Sequence, residues 1–135
     1  MRMNTLIWRR SPLPTGSFEE EQSGLEVTWR PKMDICELPG EFLILLGLPG
    51  VHPEDVDVTV AGGTMVVSGE RKMNIPEEAI VHLIESRGGR FERRIRLPAN
   101  ADVAGTGTEM IHGQLIIRVP KAEPQTVRLS VPRGG

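Results

Sequence analysis

Three histidines, His52, His82 and His112, recur every thirty residues along the 135-residue chain, a spacing that invites a metal-binding reading. Metal sites need ligands that converge, usually with Cys, Asp or Glu at short or helical spacing. Here His52 and His112 lie beside turn-forming residues, His82 lies in a strand-like run, and no carboxylates accompany them at helical spacing. They read as three separate, half-exposed side chains. Cys36 as a nucleophile would need a neighbouring base and a lowered pKa. Its alternation with Ile35 and Glu37 instead places it on one face of a strand, as a packing residue. As the single cysteine it excludes an intramolecular disulfide, and a reducing, cytoplasmic setting is expected. Gly105-Thr106-Gly107 lacks the third glycine and the following helix of a dinucleotide fingerprint, and no Walker A loop occurs. The expectation is a protein without cofactor, small-molecule substrate or catalysis.

The densest charge lies at Arg87, Arg90, Arg93, Arg94 and Arg96, with Phe91 interleaved. That composition suits a weak RNA-binding strand. Glu85 and Glu92 dilute it, and the chain has no Tyr. A solvated or subunit-facing strand edge is the preferred reading, with an RNA-binding β module over Arg87 to Arg96 as an alternative. Sixteen basic against eighteen acidic residues leave a net charge of −2, so no global field draws the chain to nucleic acid or an anionic membrane.

These residues need a framework, and its period is two. Val56-Asp57-Val58-Thr59-Val60 puts three valines on one face and two polar residues on the other. Phe91 to Leu97 repeats the pattern, with Phe91, Ile95 and Leu97 inward and Glu92, Arg94 and Arg96 outward; Arg93 is a charge on the apolar face and wants a partner. Further strands are expected at Met33 to Leu38, Phe42 to Leu46, Met65 to Ser68, Ile80 to Glu85, Thr106 to Ile111 and Leu115 to Val119. Pro39-Gly40, Pro49-Gly50, Gly62-Gly63, Gly88-Gly89 and His112-Gly113 supply turns between them. Eight short strands without a convincing helix argue for an all-β, antiparallel β-sandwich.

Composition divides the chain into an arm at 1–30, a folded part at 31–120 and a tail at 121–135. The arm holds two small apolar spots, Leu6-Ile7-Trp8 and Leu25-Val27-Trp29, around the acidic run Glu19-Glu20-Glu21. Leu6 to Trp8 is far shorter than the ~7–15 residues of a signal-peptide core. No run approaches the ~18–20 apolar residues of a membrane span. In the tail, Val127-Arg128-Leu129-Ser130-Val131 alternates once more after a polar, proline-bearing tether. A lone amphipathic strand needs a groove, its own or a neighbour's.

Several stretches then converge on one family. Leu48-Pro49-Gly50-Val51 with Pro53-Glu54-Asp55-Val56, Val66-Val67-Ser68-Gly69-Glu70-Arg71-Lys72, Gly89-Arg90-Phe91-Glu92-Arg93 with Leu97-Pro98, and Gly113-Gln114-Leu115 with Val119-Pro120-Lys121 occur in order. Over residues 31–121 they resemble the α-crystallin domain of bacterial small heat-shock proteins. The resemblance implies an immunoglobulin-like β-sandwich with a flexible N-terminal arm and a C-terminal extension. It also implies an ATP-independent holdase, a homo-oligomer built from dimers that binds unfolding client proteins. A co-chaperone of the related sandwich type is the other alternative.

The resemblance further implies that Ile80, Val81, His82, Leu83, Ile84 and Glu85 form a strand exchanged between subunits, with Arg93 at the same interface. The tail is similar to the family's I-x-I/V motif through Val127, Leu129 and Val131. Two overlapping registers fit, Val127-x-Leu129 and Leu129-x-Val131. The implied docking groove is Val56, Val58, Val60, Thr106, Thr108 and Met110 of another dimer. Leu6, Ile7, Trp8, Leu25, Val27 and Trp29 are the expected client-binding surface.

Overall fold

The computed structural model describes residues 18–22, 28–123 and 126–135. Two four-stranded antiparallel sheets face each other. One has the order β1-β6-β5-β4 and the other β2-β3-β8-β7. The strands are β1 (Glu19–Glu21), β2 (Met33–Glu37), β3 (Glu41–Gly47), β4 (Val56–Ala61), β5 (Thr64–Arg71), β6 (Gly89–Arg96), β7 (Gly107–Ile111) and β8 (Gln114–Pro120). The fold is the expected β-sandwich, and a short 3-10 turn at Pro53–Asp55 is its helical content among the described residues.

Alternation produces the core. In β3 every second residue, Phe42, Ile44 and Leu46, is buried, and in β8 the same holds for Leu115, Ile117 and Val119. These two strands pair in the middle of one sheet, with Ile44 opposite Ile117. Met65 and Val67 of β5 and Phe91 and Ile95 of β6 cover them from the other sheet. The β4–β5 hairpin closes on Gly62 and Gly63, at φ 58° and 79°. Both are left-handed, as the two-residue turn matching strand twist requires.

Seven of the eight expected strands form. The eighth expected strand, Ile80 to Glu85, does not: residues 72–88 contain no strand. A strand needs an edge to pair with, and the segment pairs with none of its own chain's edges. His82 therefore lies in this loop, not in a strand. The eighth observed strand is β1, inside the region assigned to the arm, where Glu19, Glu20 and Glu21 pair with Arg96, Ile95 and Arg94 of β6. The folded body thus takes in residues on the N-terminal side of position 31.

Trp29 departs from the expected arm surface as well. It is only 9% exposed, meets Phe91 edge-on with centroids 5.3 Å apart, and donates from Nε1 to the Gly89 carbonyl at 2.8 Å. Its indole N–H is satisfied and its ring belongs to the core. Leu6, Ile7, Trp8, Leu25 and Val27 lie outside the described residues. Glu92, expected outward and solvated, is buried beside Arg94, whose Nη1 donates to it at 3.0 Å. Cys36, expected to pack, is exposed, because β2 is an edge strand and only Met33 and Ile35 of that strand reach the core.

Candidate functional site

Each sheet ends in an edge strand on the same side of the sandwich, β4 in one and β7 in the other. Between them runs a groove of about 580 Å³, lined along β4 by Val56, Val58 and Val60 and along β7 by Thr106, Thr108 and Met110. The sandwich brings together all six residues expected to form a tail-docking groove. Their spacing explains the β4 wall, where every second residue points inward; on the β7 wall Glu109, between Thr108 and Met110, lines the groove as well. Val103 and Pro53 also line it and Leu115 forms part of its floor; neither Val103 nor Pro53 carries a period-two signal, so sequence reasoning missed them.

The tail leaves β8 beside one end of this groove. Asp102 N donates to the Pro120 carbonyl at 2.8 Å and Ala122 N to the Asn100 carbonyl at 2.6 Å, so the chain is pinned as far as Ala122. Beyond it Val127, Leu129 and Val131 are 68%, 80% and 92% exposed and form no strand. Five residue steps separate Ala122 from Val127, a reach of about 17 Å. The second unpartnered segment is the loop between β5 and β6. Ile80 and Leu83 are 83% and 76% exposed, and Val81 and Ile84 about half exposed. Four large aliphatic side chains in five residues of open loop form an apolar patch of the kind that marks interaction surfaces. The free edge of β2 is another place where an extended segment could add backbone hydrogen bonds.

The loop is anchored firmly at its base. Thr28 N donates to the Arg90 carbonyl at 3.0 Å and Thr28 Oγ1 to the Gly88 carbonyl at 2.7 Å. Gly89 has φ +100°, and a Cβ there would collide with Thr28 Oγ1. Arg93, expected at the exchange interface and in want of a partner, has that partner within its own chain. Its Nε donates to Glu20 Oε1 at 2.6 Å and its Nη1 to the Pro31 carbonyl at 2.6 Å. Arg94 is held between Glu21 at 3.7 Å and Glu92 at 3.0 Å. Two of the five arginines of the basic segment are thus neutralised locally. His52, His82 and His112 do not converge, and no group of three potential metal ligands occurs among the described residues. Nor is any helix among them long and apolar enough to cross a membrane.

Comparison with known proteins agrees with this architecture. Residues 34–131 match the model of the Hsp20/alpha crystallin family. The chain belongs to that family. It is similar to the 16.6 kDa heat shock protein of Oryza sativa, 31% identical over 128 residues covering 90% of this chain and 85% of that one. It is also similar to the chloroplastic heat shock 22 kDa protein of Chlamydomonas reinhardtii, 35% identical and covering 68% of this chain and 60% of that one. Against several relatives the matched stretch spans only 27% to 63% of their length. The crystal structure of a small heat-shock protein from Xylella fastidiosa superposes with a TM-score of 0.72 at 35% identity, covering 81% of this chain and all of that one. As a small heat-shock protein with an α-crystallin domain, the chain carries a groove and segments that now have a family context.

Proposed function

We propose that this small heat-shock protein is an ATP-independent holdase that assembles into oligomers and captures partly unfolded proteins before they aggregate. The observation that carries the reading is the coexistence of an open apolar groove with exposed apolar segments that the monomer leaves uncovered. Ile80 to Glu85 becomes a strand by pairing with the β2 edge of a second subunit, which buries its aliphatic side chains and makes the dimer. Val127, Leu129 and Val131 of one dimer seat in the β4–β7 groove of another. Burial of two or three aliphatic residues contributes ~3–9 kcal/mol before ordering costs, so a single contact is weak and reversible. Many such contacts hold a particle together while each opens readily. Heat and unfolding clients compete for the same surfaces, and Leu6, Ile7, Trp8, Leu25 and Val27 add client contacts from the arm.

The engagement of Arg93 and Arg94 by carboxylates weighs against RNA binding through that strand. The test of the assembly reading is mass in solution, measured by light scattering coupled to size exclusion. A particle of several dimers is expected; a species near the 14.9 kDa chain mass at micromolar concentration would contradict it.

A further inference from the structure

Arg93 carries a permanent charge into the sandwich, with its side chain only 9% exposed. The register of β6 forces this: side chains at 91, 93 and 95 alternate onto the inner face beside the core. A cation so placed requires an anion and hydrogen-bond acceptors, because desolvation otherwise costs several kcal/mol. One acceptor, the Pro31 carbonyl, comes from the folded body. The carboxylate, Glu20, comes from β1.

β1 is the most weakly built strand of its sheet. It is three glutamates long, and glutamate is a poor strand former. Glu20 also pairs with the exposed Arg30, and Glu21 contacts Arg94 at 3.7 Å. Pairs this open to solvent add little to stability. Phe18, packed edge-on against Phe42 at 5.4 Å, is its apolar anchor. Apart from the Glu20–Arg93 bond, little holds the segment, so a competing strand that brings its own carboxylate can take its place. Its departure leaves the β6 edge unpaired and Arg93 buried without its carboxylate.

We propose that the β6 edge together with Arg93 is a strand-docking site that reads a carboxylate, and that β1 fills it at rest as an internal stand-in. When β1 lifts, an extended acidic segment of an unfolding client takes its place. The occupant is argued from β1 itself, which displays the ligand chemistry: an aromatic residue, then a carboxylate two positions later on the same face, in an extended strand. Backbone pairing along β6 supplies sequence-tolerant affinity. Arg93 supplies selection, since a neutral or basic residue at that position leaves a buried charge unpaired. The inference rests on the holdase reading for its client, but the site is tested by direct binding.

The experiment uses the full chain and its Glu20→Gln variant. The probe is a labelled peptide of residues 18–22, Phe-Glu-Glu-Glu-Gln, with a companion peptide carrying the same Glu20→Gln change. The variant should melt below the wild type and bind the acidic peptide at least ten-fold more tightly than the wild type does, since its internal strand has lost a charge-assisted hydrogen bond that the peptide restores. The acidic peptide should raise the variant's Tm, the companion peptide should not, and added salt should weaken binding. Equal binding by the two peptides, or equal binding to the two chains, would overturn the proposal. Hydrogen exchange on the wild type with a heat-denatured client supplies the second measurement. The amides of Glu19–Glu21 should lose protection while β6 keeps its own; unchanged protection of β1 in the client complex would refute its displacement.

Discussion

Replacing Leu129 with alanine removes the central apolar residue of the tail, and the structure sets the size of the effect. Leu129 is 80% exposed in the single chain, so docking has most of a leucine side chain left to bury. Full burial is worth ~1.5–3 kcal/mol, and four-fifths of that is ~1.2–2.4 kcal/mol. At 1.4 kcal/mol per factor of ten, each tail contact should weaken by about 7- to 50-fold. Every subunit contributes one tail, so the loss is compounded in a particle held by several contacts. The assay is sedimentation velocity across a dilution series, which reads the concentration at which the particle gives way to dimers. That midpoint should move up by at least the single-contact factor. Leu129→Asp, which would place a charge against Val58 and its neighbours, should leave dimers at every accessible concentration. An unchanged distribution for both variants would refute the docking argument, since neither change touches the folded sandwich.

Leu83→Asp, in the loop between β5 and β6, should convert dimers to monomers while the melting of the sandwich itself changes little; circular dichroism and sedimentation together check this. Trp29→Ala should destabilise the domain by ~3–5 kcal/mol through a cavity beside Phe91 and loss of the bond to Gly89, read by chemical denaturation. Gly69→Ala should destabilise the domain, because a Cβ there collides with the Asp55 carbonyl and lies 2.8 Å from Phe91 Cζ; a Tm within a degree of wild type would be inconsistent with the packing described.

What the sequence made legible follows from where its signals originate. Strands β3, β4, β5 and β8 were readable because alternation, glycine turns and burial all act within a few residues. The groove was readable for the same reason, since Val56, Val58 and Val60 share a face by period alone. That Arg93 needs a partner was readable; that the partner is Glu20 was not, because the pair spans 73 positions. β1 escaped for a related reason: three glutamates have no strand propensity of their own and become a strand only against the arginines of β6. Trp29 resembled an arm residue because its partners, Gly89 and Phe91, lie far along the chain. Ile80 to Glu85 shows the converse. Its composition is that of a strand, yet it pairs with no strand of its own chain, and the proposed function gives it an edge on a second subunit.

The central claim is that uncovered apolar surface on this domain is used to hold unfolding proteins without ATP. Turbidity of a heat-denaturing enzyme, followed with the protein at near-equimolar ratio and no nucleotide, tests it most directly. Aggregation should be suppressed, with the client recovered in a complex larger than the free particle. Undiminished turbidity, with the client in the pellet and the protein left behind in solution, would contradict the account.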